Sequence, residues 1–199
     1  MSAAEKLSLP IPPTPRVISF NRVSEADYFA LDLAAESRLE YYDGEVVAMA
    51  GASPDHNDIA GNVYAFLHGS LRGTTCRPRI SDQRVHVPAR RGYVYPDVVV
   101  GCGQLTYQPG TNPPSLLNPV LIIEVLSEST ERLDRGRKFE MYQSIPGLRY
   151  YLLLDFTRVS AYLHTREPGM LVWTLRIYDQ LTDVLPLPAL GVELPLAEA

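Results

Sequence analysis

The chain has 199 residues, 46% hydrophobic and 21% charged, with a formal net charge of −5. That composition fits one globular domain with a hydrophobic core and excludes a chain too polar or too charged to fold. The acidic balance also excludes a surface that is basic all round, as non-specific nucleic-acid binders present, while leaving room for a local basic groove.

The basic residues are sixteen arginines and only two lysines, Lys6 and Lys138, so the position of Lys138 carries weight. Cys76 and Cys102 have neither C-x-x-C spacing nor the density of a disulfide scaffold, and they read as reduced thiols. The first residues lack the pattern of a signal peptide and no apolar run of about twenty residues occurs. A soluble, cytoplasmic protein with no membrane partner is expected.

Prolines 10, 12, 13 and 15 predict an extended, disordered arm over residues 1–16 and a single domain over 17–199. Regular structure is expected to begin near Ser24, where Ser24 and Asp27 form a capping pattern ahead of a helix. The stretch "SRLEYYDGEVVAMAG" predicts a hairpin turning at Asp43-Gly44, with Glu40 and Glu45 on either side. A longer helix follows, capped by Ser53 or Asp55, with Ile59, Val63, Phe66, Leu67 and Leu71 on one stripe and His56 in its first turn.

"ISDQRVHVP" and "YVYPDVVVG" carry strand signals on either side of a basic turn, and the Gly/Pro-rich residues 103–118 form a long loop. "PVLIIEVLSEST" reads as a buried strand, and a helix follows from about Glu131 to Ser144. "RYYLLLDF" is a further apolar strand, residues 159–179 a closing hairpin, and the tail from Val184 an irregular edge segment. The order of elements suggests an α/β fold: a central mixed β-sheet flanked by helices, with additional antiparallel strands.

Glu124 is the anomaly in this pattern, because an ionised carboxylate within an apolar strand must protonate, pair or bind a metal. Period-two geometry puts Asp97 on one face of its strand with Val99, and Glu124 on a face with Ile122 and Leu126. If the two strands are neighbours, both carboxylates converge, and two hard oxygen ligands suit Mg²⁺ or Mn²⁺. Lys138, on the following helix, can lean over them and assist an attacking water or neutralise a phosphate. Asp134, four residues earlier, reads as a carboxylate paired with Lys138 or Arg137. Arg84, Arg90, Arg91 and Arg135, with Arg132 and Arg137, offer a phosphate-binding lip.

"YPDVVV", "PVLIIEVLSEST", "DRGRKFEMYQSIPGLRYYLLLD" and the upstream "RLEYYDGEVVAMAGASPDH", taken in order, resemble the Uma-type restriction-endonuclease family within the PD-(D/E)XK nuclease superfamily. The resemblance spans roughly Ser24 to Asp155. It implies a restriction-endonuclease-like core and a metal-dependent DNA endonuclease. In that reading Asp97 and Glu124 hold Mg²⁺ or Mn²⁺ with the Val125 backbone carbonyl, and Asp97, Glu124 and Lys138 are catalytic. Glu40 matches the family's upstream glutamate and His56 its histidine, both as supporting residues.

One position departs from the superfamily. Leu126 stands where its lysine is sought two residues after the second acid, and the resemblance places that lysine at Lys138. DNA is the implied partner, and a homodimer suits cutting both strands. Two other readings stay open: a catalytically inactive nuclease-like module that binds nucleic acid or protein, and a structural protein whose carboxylates are simply paired with arginines.

Overall fold

The computed structural model describes residues 16–19, 22–49 and 51–199. The arm expected over 1–16 lies outside them except for Arg16, which opens β1 (Arg16–Ser19). Regular structure therefore starts before Ser24. β1 pairs antiparallel with β3 (Glu45–Ala48), and a strand preceding the expected helix carried no turn signal in the sequence. Ser24 caps α1 (Glu25–Ala34) by accepting from the Asp27 N–H at 3.1 Å, while its hydroxyl donates to the Asp27 carboxylate at 2.6 Å.

β2 (Leu39–Tyr42) and β3 form the expected hairpin. At its turn Asp43 and Gly44 take φ of 47° and 100°, the left-handed backbone that an Asp-Gly turn accommodates. α2 (Pro54–Ser70) starts at Ser53, whose side chain accepts from the His56 N–H, and it buries Ala60, Val63 and Leu67.

The strand expected over "YVYPDVVVG" is two strands in two sheets. β6 (Gly92–Val94) lies beside β2 and β5 (Val85–Val87), whereas β7 (Val98–Gly101) lies between β4 (Arg77–Ile80) and β8 (Pro119–Leu126). Pro96 lacks the N–H that a continuing ladder needs, and the chain crosses between sheets there. One sheet runs β1-β3-β2-β6-β5. The other continues past β8 through β9 (Tyr150–Asp155) and β10 (Ala161–Thr165) to β11 (Thr174–Tyr178). β8 and β9 are parallel and the remaining pairs of that sheet antiparallel, so it is the mixed sheet expected.

Both faces of the central strands are covered, which is why they read as nearly continuous apolar runs. α2 packs on one face with a hairpin of β12 (Val184–Leu187) and β13 (Val192–Pro195). That hairpin replaces the irregular tail expected: Leu185, Leu187, Val192 and Leu194 alternate inward and are buried. The five-stranded sheet covers the other face through Tyr42, Val47, Val85 and Val94, together with Met141 and Tyr142 of the helical segment after β8.

That segment is not a uniform helix. α3 (Glu131–Leu133) leads into a π-helical turn, Asp134–Lys138, and then into α4 (Phe139–Tyr142). It ends two residues before the expected Ser144. π-Helical turns are uncommon and cluster at functional sites, and this one carries two buried charged side chains, Asp134 and Lys138.

The cysteines also differ from expectation. Cys76 and Cys102 are joined in a disulfide. The antiparallel pairing of β4 with β7 sets Arg77 opposite Gly101, so the residues just beyond, 76 and 102, meet. A spacing of 26 residues gives no hint of this without the sheet register.

Candidate active site

Two sheets and two helical elements meet at one end of the β8–β9 pair, around a cleft of about 860 Å³. Val98 pairs with Ile123 and Val99 with Ile122, so the register carried one residue further sets Asp97 opposite Glu124. The neighbouring strands needed for their convergence are therefore present. Asp97 Oδ2 accepts from the Val125 N–H at 2.7 Å, which fixes the carboxylate at the mouth of the cleft.

Glu124 is 3% exposed. It faces inward with Ile122 and Leu126, against the helical segment, and its Oε1 accepts from Lys138 Nζ at 3.1 Å and from the Tyr142 hydroxyl at 2.9 Å. Lys138 Nζ also lies 3.2 Å from Glu40 Oε1 and 3.3 Å from Asp134 Oδ1. One ammonium thus serves three carboxylates, all buried. Glu40 arrives from β2 and is held by the Tyr42 hydroxyl at 2.6 Å and the Tyr95 N–H at 3.1 Å.

This imbalance governs the protonation of the site. Burial raises the pKa of Glu124 well above the usual carboxylate value; Lys138 opposes the rise and the neighbouring carboxylates add to it. Asp134 is raised for the same leading reason. For Lys138 burial pulls downward, but Glu124, Glu40 and Asp134 together outweigh it and hold the ammonium well above its ordinary range. The Tyr42 and Tyr142 hydroxyls, buried beside carboxylates, are pushed up and remain donors.

His56 sits in the first turn of α2 with Nε2 3.3 Å from Asp97 Oδ2. Burial lowers its pKa, yet the bond and charge of Asp97 leave it raised overall. His56 Nδ1 and Asp134 Oδ1 are buried without a hydrogen-bond partner among the described residues.

Glu40, Asp97, Glu124, Glu128 and Asp134 line the cleft against Lys138 and His56. An excess of carboxylate oxygens, one of them without a hydrogen bond, is a donor set whose charge and hardness fit Mg²⁺ or Mn²⁺. The arrangement is nevertheless that of a closed ion-pair network: among the described residues no group of three or more His, Cys, Asp or Glu side chains stands ready to hold a metal ion.

The expected arginine lip is different. Arg84 is fully buried: it bonds Asp32 at 2.9 Å, Ser115 Oγ at 2.8 Å and the Pro113 carbonyl at 2.8 Å, and lies over the Phe29 ring at 4.8 Å. It has no surface to offer a phosphate. A buried carboxylate on α1 and the aromatic side chains around it draw it inward, neither of which its strand signal revealed. Among the described residues no arginine lines the cleft beside Glu124. Arg90 and Arg91 border a separate hollow with Arg137, and Arg135 is ion-paired with Glu131 and stacked 3.9 Å over Tyr162.

Sequence reasoning missed the two tyrosines. Tyr42 lies two residues from Glu40 on a strand, and Tyr142 lies four residues from Lys138 on a helix. The spacing rules that grouped the charged residues would have found both.

Several known proteins are similar to this chain. "Uncharacterized protein slr1290" of Synechocystis is 32% identical over 174 residues, 87% of this chain and 88% of that protein. "Uncharacterized protein sll1609" of the same organism is 32% identical over 67% of this chain and 75% of its own length. The crystal structure of "a putative nuclease belonging to DUF820" from Anabaena variabilis superposes with a TM-score of 0.65 at 14% identity, covering 82% of this chain and 90% of that one. The fold is therefore of that nuclease-like type. The family described as "Uma2: Putative restriction endonuclease" matches residues 25–197, and the chain belongs to that family.

Proposed function

We propose that the chain is a divalent-metal-dependent DNA endonuclease of the PD-(D/E)XK type, hydrolysing phosphodiester bonds. The observation that carries this reading is the convergence of Glu40, Glu124 and Asp134 on Lys138 in a cleft bordered by Asp97. Such an excess of buried carboxylate is costly for a fold and useful to a site that recruits a cation. Mg²⁺ or Mn²⁺ held by Asp97, Glu124 and the Val125 carbonyl would supply Lewis-acid polarisation of a phosphoryl oxygen and a water of lowered pKa. Lys138, kept protonated by its carboxylates, acts as a donor to the phosphate or to the attacking water rather than as a base. Glu40, held by Tyr42 and the Tyr95 N–H, positions that ammonium. His56 orients Asp97.

The test is cleavage of plasmid and linear DNA by the purified chain with Mg²⁺ or Mn²⁺. Asp97→Ala, Glu124→Ala and Lys138→Ala are each expected to lose activity by about 10²-fold or more. Equal activity in all four proteins sinks the proposal.

The absence, among the described residues, of a ready-made metal-holding group favours a second reading, a nuclease-like module that binds nucleic acid or protein without cleaving. Calorimetric titration with Mn²⁺ separates the two. A chain that takes up no divalent ion even with DNA present, yet still binds that DNA, supports the module.

A further inference from the structure

Seven of the twelve exposed large hydrophobic side chains among the described residues lie between Met170 and Val184. Leu171 is 89% exposed, Leu175 51%, Ile177 56% and Leu181 58%. Monomeric proteins rarely expose so many large apolar side chains along one short segment. The segment is also centred on β11, which ends the six-stranded sheet and, among the described residues, pairs only with β10. The usual protections of an exposed edge are missing: within Thr174–Tyr178 there is no lysine, no proline and no bulge, and Arg176 is the single charge.

We infer that β11 is the seam of a homodimer, in which two copies pair this strand antiparallel about a two-fold axis and merge their six-stranded sheets. The patch is built to match itself reversed. Its apolar loop, residues 170–172, lies at one end of β11 and Leu181 lies beyond the other. Antiparallel self-pairing brings the loop of each copy toward Leu181 of the second. Together the seven side chains expose on the order of 700 Å², an upper bound on what the pairing covers, against the roughly 800 Å² that each partner contributes to a standard interface.

Side chains also choose the register. A two-fold axis perpendicular to the sheet requires that opposed residues share a face, so the axis passes through one residue of the strand. Centring it on Arg176 opposes two like charges, and centring it on Ile177 sets Leu175 against Asp179. Centring it on Leu175 opposes the two leucines and sets Ile177 against Trp173, all on the face where Leu175 neighbours His164 and Ile177 neighbours Tyr162. Of these three centres Leu175 alone opposes neither two like charges nor a leucine and a carboxylate, and the axis is placed there. The inference uses none of the residues of the cleft and stands whether or not the chain cleaves DNA.

Sedimentation of the full chain at micromolar concentration is expected to give twice its 22.2 kDa mass. Leu175→Arg is expected to halve that mass while leaving the far-ultraviolet circular dichroism spectrum unchanged. A wild type at single-chain mass overturns the inference, as does a dimer that survives Leu175→Arg. Should Leu175→Arg fail to fold, Leu175→Cys decides. The chain's two cysteines are already joined to each other, so the new thiol is the only free one, and mild oxidation is expected to give a covalent dimer on a non-reducing gel. Its absence overturns the inference equally.

Discussion

Two of the places where the described residues bury charge treat it in opposite ways. At the first, Arg84 meets one carboxylate, Asp32, which also accepts from the Tyr95 hydroxyl at 2.6 Å and the Leu39 N–H at 2.9 Å. Charges match one to one, aromatic rings surround the guanidinium, and neither side chain lines the cleft. At the second, one ammonium faces three carboxylates, Asp134 Oδ1 meets it at 3.3 Å but has no hydrogen bond among the described residues, and the cluster borders the cleft. A balanced buried pair serves the fold alone. An unbalanced one is tolerated at the expense of stability, which is the mark of a site shaped for something that arrives from outside.

Breaking the balanced pair is expected to have the largest effect on the fold. Arg84→Met strands Asp32 in the interior and removes donors from Ser115 and the Pro113 carbonyl, so denaturant unfolding should report a loss of about 3–5 kcal/mol. A loss below about 1 kcal/mol would mean that Arg84 is not a structural keystone. Lys138→Met is expected to cost a comparable amount at neutral pH, but its deficit should shrink as the solution is acidified. Its stranded carboxyls, Glu124 and Asp134, already have raised pKa values and protonate readily once the ammonium is gone.

Removing one carboxylate from each centre sharpens the contrast. Asp32→Asn weakens a matched pair and should destabilise. Glu124→Gln relieves an excess of negative charge and should leave stability within about 1 kcal/mol of wild type, with gain more expected than loss. The sign of the pH dependence follows from the raised pKa of Glu124. Its folded state binds the proton more tightly than the unfolded chain does. Its contribution is therefore complete below the unfolded carboxyl value of about 4.3 and is lost as pH rises through the folded one. The stability of wild type minus that of Glu124→Gln should fall with pH across that window, and a difference that rises instead would contradict the assignment.

The two centres were not equally legible in the sequence. Glu124 announced itself because a charge in "PVLIIEVL" breaks an apolar run, and Lys138 because lysine is scarce. Asp97 followed from period-two geometry, even though the strand assumed to carry it is interrupted at Pro96, because the β7–β8 register restores the juxtaposition. Arg84 and Asp32 were misplaced or overlooked, since nothing local separates a buried arginine from an exposed one when its partner lies 52 residues away. The disulfide and the β12–β13 hairpin of the tail were missed for a related reason. Both depend on which strands become neighbours, and one chain's periodicity predicts faces better than it predicts partners.

The smallest expected effect lies where the cleft meets α2. His56 is held by Asp97 at 3.3 Å and its pKa is raised, the carboxylate outweighing the opposing influence of burial. A histidine whose folded pKa exceeds the unfolded value of about 6.5 gives its full stabilisation below that pH and loses it as pH rises through the folded value. His56→Gln should therefore be less stable than wild type in mildly acidic solution, and the gap should narrow on the alkaline side of neutrality. Nuclear magnetic resonance titration of the imidazole offers a direct check: its midpoint should fall in Asp97→Asn, where the charge is gone but the shape is kept. A midpoint unmoved by that substitution would separate His56 from Asp97 and leave the histidine as a packing residue at the start of α2.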